Sequence, residues 1–232
     1  MRTLATLMLL AVFNPLALAE QECEPSHWGP GDQLGSANRV TAESVLAASR
    51  LIKTGKTYAL GIVVDDQTPA FAPRNFNLPV VQPGQQFGRQ SMPNLTYNDD
   101  ILVSWLGIGS QLDGLGHIGD ARGMYYNCHD GREFSDLSGL TRLGVHQIPP
   151  LVARGVVLDM AGHKGVPYME AGEYFTVADV QAVEKKQGTP IREGDVVLFH
   201  TGWTEAMLEK DPDAWVAGEP GQSEEVASYL AA

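Results

Sequence analysis

Gln111, Asp113 and His117 are the side chains in this sequence whose types and spacing best suit joint chemistry. In an extended segment Gly107, Gly109, Gln111 and Asp113 point to one face, because side chains alternate along a strand. The glycines leave room on that face, and the amide and the carboxylate project into it. His117 follows Asp113 by one helical turn, and Gly114 and Gly116 let the backbone bend far enough to return the imidazole to the carboxylate. Oxygen and nitrogen donors converging in this way suit a divalent metal ion with a bound water and a base beside it. A plain surface turn, with Asp113 capping a backbone N–H and His117 solvated, has the same composition. Spacing alone leaves both readings open.

Several elements must hold these residues. Residues 101–108 read as the strand that feeds the bend, and Trp105 shares a face with Gly107 and Gln111, which makes it an apolar wall for a substrate. Upstream, residues 57–64 read as a second strand, rich in Tyr, Ile and Val. Between them residues 65–98 are proline-rich and loop-like, yet carry Phe71, Arg74, Phe76 and Phe87. A loop of that kind beside a cleft often supplies the substrate wall, so Phe71 and Arg74 join Trp105 as pocket candidates, together with Tyr125 from the segment after the bend. The alternative for each aromatic is a small local core. His129 could be a further ligand or a solvated loop residue, and His27, His146 and His163 read as surface residues without partners at ligand spacing.

The remainder is scaffold. Thr41 looks like an N-cap with Glu43 in the first turn, and Val45, Leu46, Ala48, Leu51 and Ile52 form a helical stripe ending at Gly55. Residues 155–160 and 195–199 are continuous apolar runs, as in strands covered on both faces. Between them Thr176 and Asp179 resemble a capping box, followed by Val177, Val180 and Val183 up to Gly188. Strand, helix and strand in that order imply a βαβ unit and an α/β fold. His200 ends the second strand, where open α/β sheets place their sites, although packing at the strand end suits it better. Residues 223–232 begin like a helix, with a Ser cap and two acids in the first turn.

Composition bounds the class. A chain of 232 residues with 44% apolar and 19% charged side chains is globular. Residues 1–19 read as a signal peptide: Arg2 gives a positive start, an apolar run follows, and Ala17-Leu-Ala19 is a cleavage signal. A membrane anchor is the competing reading, but the run is short and broken by Asn14-Pro15. The mature protein would then be a single domain over residues 20–232, exported to a periplasmic or extracellular compartment, with no membrane insertion after cleavage. A formal charge of −12, more acidic by one once Arg2 is removed, argues against nucleic-acid partners and suits a small-molecule enzyme. Cys23 and Cys128 can pair as one disulfide or remain two thiols, and sequence does not decide which.

The segment Gly107-x-Gly-Ser-Gln-x-Asp-x-x-x-His117 resembles the HxGTHxDxxxH signature of the kynurenine formamidase-like cyclase hydrolases, which include isatin hydrolases. Trp28-Gly-Pro-Gly-Asp-Gln-Leu-Gly-Ser-Ala-Asn38, Pro149-Pro-Leu-Val-Ala-Arg-Gly-Val-Val-Leu-Asp159 and Gly194-Asp-Val-Val-Leu-Phe-His-Thr-Gly-Trp203 are similar to recurrent segments of the same family. The resemblance implies a swivelling β/β/α fold and a metal-dependent hydrolase that opens amides, cyclic amides or lactones in a small, aromatic substrate. Asp113 matches the metal-binding aspartate, and His117 the histidine credited with proton transfer, with a place among the ligands too. Gln111 stands where the family has its second ligand histidine, and Gly107 where it has its first. An amide oxygen in place of imidazole hardens the site, so manganese gains on zinc. The family continues past this chain's last helix with strands that supply further ligands, which implies a domain incomplete at its C-terminus, and a homodimer or larger assembly is implied as well. The alternative is a catalytically degenerate exported binding protein that keeps the pocket but not a complete metal site.

Overall fold

A computed structural model describes residues 23–81 and 98–231, so the expected leader over residues 1–19 and Phe87 lie outside the described residues. From Cys23 the chain runs as an arm with a 3-10 turn at Gly35–Arg39 and enters helix α1 (Ala42–Ser49). The Thr41 hydroxyl accepts the Ser44 N–H, and the Ser44 hydroxyl accepts the Thr41 N–H. The helix ends a turn and a half before Gly55, and no described element covers its far end: Leu46, Leu51 and Ile52 all stay exposed. Residues 57–64 are extended but pair with no strand among the described residues. Their β-rich composition lacks a neighbouring edge, and Tyr58, Leu60 and Val63 face solvent.

Short antiparallel pairs follow. Strand β1 (Phe76–Asn77) and β2 (Val80–Val81) lie in the stretch expected to be loop. They pair with β4 (Val103–Ser104) and β3 (Asp99–Asp100) respectively. The strand expected over residues 101–108 is thus reduced to two residues, and its partner comes from the proline-rich segment. Strands β5 (Met124–Tyr125) and β6 (His129–Asp130) form a tight antiparallel pair. A single helical turn, α2 (Gly131–Phe134), and the pair β7 (Ser135–Asp136) and β8 (Gly139–Leu140) come next.

The βαβ unit carries the core. Strand β9 (Gly155–Asp159) leads into α3 (Met160–Lys164), β10 (Tyr174–Phe175), α4 (Val177–Gln187) and β11 (Val196–His200). Then come α5 (Trp203–Met207), α6 (Pro212–Ala217), β12 (Gly221–Gln222), which pairs with β10, and α7 (Glu224–Ala231). Strands β9 and β11 are parallel and in step from Gly155↔Val196 to Asp159↔His200. Val156 and Leu158 point into a cluster with Met169, Phe175, Val180, Val183 and Val226, which α4 and α7 close from outside. Only one face is covered, contrary to the expectation from the apolar runs. Val157 and Val196 on the other face remain 54% and 41% exposed, because no described element lies over them. At the start of the pair Arg154 Nε donates to Asp195 Oδ1 at 2.9 Å, and Val196 N–H donates to the Arg154 carbonyl at 2.9 Å. The ion pair therefore sets the strand register.

The arm is tied to the body where the bend is built. Cys23 and Cys128 form a disulfide with Cα atoms 5.7 Å apart, which settles the choice that the sequence left open. Buried Asn127 accepts the Ser26 N–H at 2.6 Å and donates to the Gly29 and Asp32 carbonyls at 2.9 and 2.8 Å. Further along the arm, Gln33 Oε1 accepts the Leu143 N–H at 2.8 Å.

Two outcomes test this scaffold. Asp195→Ala leaves the Arg154 guanidinium unpaired at the head of the sheet and is expected to cost about 3 kcal/mol, read as a lower urea midpoint at unchanged slope. Asp179 is held below its ordinary value of 3.8 by the Thr176 N–H first and the Thr176 hydroxyl second, with His163 adding a contact at 3.2 Å. A depressed carboxylate contributes stability that is complete above the unfolded value and is lost as pH falls through the folded one. The urea midpoint of Asp179→Asn should accordingly fall less than that of the parent between about pH 5 and pH 2, and an equal fall would refute the assignment.

Candidate functional site

The bend that carries Asp113 and His117 is shaped by how closely it passes residues 143–145. A Cβ on Gly116 would stand 2.7 Å from Leu140 Cδ1 and 3.2 Å from the Leu143 carbonyl oxygen, and one on Gly114 would stand 2.9 Å from Val145 Cγ1. A side chain at either place would force these neighbours to shift. The Gly116 N–H donates to the Leu143 carbonyl at 3.2 Å, and the His117 N–H closes the turn on the Gly114 carbonyl at 3.0 Å. The consequence is the convergence that the spacing allowed. His117 Nε2 lies 3.8 Å from Asp113 Oδ1, with the two side chains 43% and 49% exposed. Gln111 Nε2 donates to both Asp113 oxygens, at 3.3 and 3.2 Å. A half-turn of the amide presents Oε1 instead, the form in which glutamine can act as a ligand.

Separations of this size between three donors suit adjacent corners of one coordination sphere, since metal–ligand bonds of about 2.1 Å at right angles put donor atoms about 3 Å apart. Among the described residues no group of three His, Cys, Asp or Glu side chains could hold an ion. A metal here would therefore depend on the Gln111 carboxamide.

Arg74 changes the surroundings. Its Nη1 donates to the Gly107 carbonyl at 2.6 Å. A Cβ on Gly107 would lie 2.6 Å from Arg74 Nη1 and 3.2 Å from Gln111 Oε1. The guanidinium thus fills the space that a side chain at 107 would need, and a cation stands beside the donors. Phe71 is exposed with its ring 5.9 Å from the Arg74 guanidinium carbon, so these two pocket candidates are neighbours at the rim. Trp105, half exposed after β4, donates its backbone N–H to the Asn75 carbonyl at 3.1 Å.

Tyr125 is not part of that rim. Its ring packs edge-on against Phe134 at 5.1 Å and lies over Gly131, which makes it core of the β5–β6 turn rather than pocket wall. His129 is neither solvated nor beside the donors: its Nε2 is buried without a hydrogen-bond partner, and its ring lies 6.3 Å from that of Phe134.

Two histidine contacts were not anticipated. His163 Nε2 meets Asp179 Oδ1 at 3.2 Å, and His200 Nδ1 meets Asp159 Oδ1 at 3.1 Å. The register of the parallel pair would have exposed the second, since Asp159 and His200 end their strands together. A cavity of about 760 Å³ lies between the arm, β11 and α7, bordered by Arg39, Glu193 and Tyr229. A smaller one of about 320 Å³ reaches from Ser110 to His200 and Glu205. Gln111, Asp113 and His117 line neither and sit at the open surface.

The chain is similar to a crystal structure of a novel cyclase, with 27% sequence identity and a TM-score of 0.78. The match covers 88% of this chain and 71% of that one. No curated protein matches. The profile of the Cyclase family matches residues 58–232, most of the chain and all of the bend and the βαβ unit, and the chain belongs to that family.

Proposed function

We propose that this protein is a metal-dependent hydrolase of amide, cyclic amide or lactone bonds in a small aromatic substrate. The observation that carries the proposal is the meeting of Gln111, Asp113 and His117 on one glycine-shaped bend. Asp113 and Gln111 Oε1 would hold a manganese or zinc ion, with His117 Nε2 near enough to join them or to act beside them. When bound, the ion supplies a polarised carbonyl and an activated water. His117 accepts the proton of the attacking water as the new carbon–oxygen bond forms, and returns it to the leaving nitrogen or oxygen as the scissile bond breaks. Arg74, anchored on Gly107, offers its remaining N–H groups to a carbonyl or carboxylate of the substrate, and Phe71 beside it offers an aromatic face. The family's swivelling β/β/α fold is the finer architecture proposed for the chain.

Export to a periplasmic or extracellular compartment is supported by the Cys23–Cys128 disulfide, which persists only under oxidising conditions. No helix among the described residues is long and apolar enough to cross a membrane. The uncovered face of β9 and β11 suits association of two copies. A second reading, a binding protein that keeps the pocket without turnover, is favoured by one feature: the Arg74 cation beside the donors opposes a divalent ion.

Purified mature protein supplemented with manganese, assayed on N-formyl aromatic amides, lactams and lactones, tests the choice. Turnover of one class is expected, with His117→Ala lowering kcat by at least about a hundredfold at little change in KM. Full activity in His117→Ala would remove the site assignment, and no turnover of any class by folded, metal-loaded protein would favour the binding protein.

A further inference from the structure

The in-step pairing of β9 and β11 sets Asp159 beside His200 at the C-terminal ends of the strands, on the face away from Val156 and Leu158. Asp159 is fixed independently of the imidazole, because it caps α3: its Oδ1 accepts the Gly162 N–H at 2.9 Å. That N–H first, and His200 second, hold the Asp159 carboxyl below its ordinary value, and Lys186 adds a more distant positive charge. The same oxygen meets His200 Nδ1 at 3.1 Å. A carboxylate on Nδ1 selects the tautomer protonated there and leaves Nε2 as an acceptor. Nε2 in turn stands 3.7 Å from Glu205 Oε1, too far for a direct hydrogen bond.

His200 and Glu205 both line the cavity of about 320 Å³, at the small end of ligand sites, where open parallel sheets place their ligands. Leu60, Ile62, Thr204 and Trp215 complete the part of the wall that matters here. Two carboxylates, Asp159 and Glu205, flank the ring at this end of the cavity and favour a positively charged ligand. The two ring nitrogens point apart, so Asp159, His200 and Glu205 cannot close on a single metal ion. Leu60, Ile62 and Trp215 add apolar surface to the same cavity, beside Gly109 and Ser110.

We propose that this cavity is a binding site for a small primary or secondary ammonium compound, its N–H groups bridging His200 Nε2 and Glu205, and its apolar body lying against Trp215, Leu60 and Ile62. Gln111, Asp113 and His117 do not line this cavity, although Gly109 and Ser110 before them do, and the proposal stands or falls without the hydrolase assignment. Glu205 is the residue to replace, because its side chain is 71% exposed and makes no direct hydrogen bond to His200.

The test titrates the full mature chain, with a metal chelator present, with benzylamine at about pH 8.5, above the ordinary imidazole range, and follows the ring resonances of His200 by NMR. Saturable shifts at His200 with a Kd in about the millimolar range are expected for so small a ligand. Glu205→Gln should weaken binding at least about tenfold, the loss of one charge-assisted hydrogen bond, and benzoate and benzyl alcohol should not compete. If Glu205→Gln changes the near-UV spectrum, His200→Asn replaces it and the same loss is required. Absence of saturable shifts, binding indifferent to the variant, or equal binding of benzoate would overturn the proposal.

Discussion

The candidate site depends on one close approach: the backbone of Leu143 runs against Gly114 and Gly116 and fixes the turn that returns His117 to Asp113. Leu143 is itself held in a left-handed conformation, φ 59°, and is 1% exposed. A non-glycine residue there costs of order 1–3 kcal/mol and persists only where its surroundings over-determine it. Those surroundings are visible: its N–H goes to Gln33 on the arm and its carbonyl to Gly116 on the bend. A chain of hydrogen bonds thus runs from the arm, through a strained buried residue, to the backbone next to His117. The Cys23–Cys128 bridge and the Asn127 contacts anchor the near end of that arm, so the covalent cross-link and the candidate site belong to one mechanical unit.

The molecule is uneven in how it stores stability. From Gly155 onward, a parallel pair, a capped α4 and α7 bury an apolar cluster. Before it, most elements are two residues long and many large apolar side chains, among them Leu60, Val63, Leu106 and Ile118, face solvent. The cavity where Ser110 meets His200 lies between the two regions, while the candidate donors sit within the first, where the bend meets residues 140–145. Local cross-links compensate there for a thin core.

Legibility in the sequence followed the same division. The βαβ unit was readable because its signals are local: a capping box at Thr176 and Asp179, valines at helical spacing, and two short apolar runs. The bend was readable because glycine and a four-residue offset dictate geometry within one turn. Helix α1, residues 57–64 and residues 101–108 were overestimated, since apolar periodicity signals a buried face only if something covers it, and here nothing described does. Tyr125 and Arg74 show the remaining limit. One ring turned inward onto Phe134 and one guanidinium reached across to Gly107, and both outcomes are set by contacts between distant segments that spacing does not encode.

Crystals grown with manganese and measured at a wavelength where it scatters anomalously test most directly whether the bend is a metal site. The expected map has a peak bonded by the Asp113 carboxylate and a flipped Gln111 Oε1 at about 2.0–2.2 Å, with His117 Nε2 bonded to it or to its water. A map without density there, with the Gln111 amide still donating to Asp113, would contradict it.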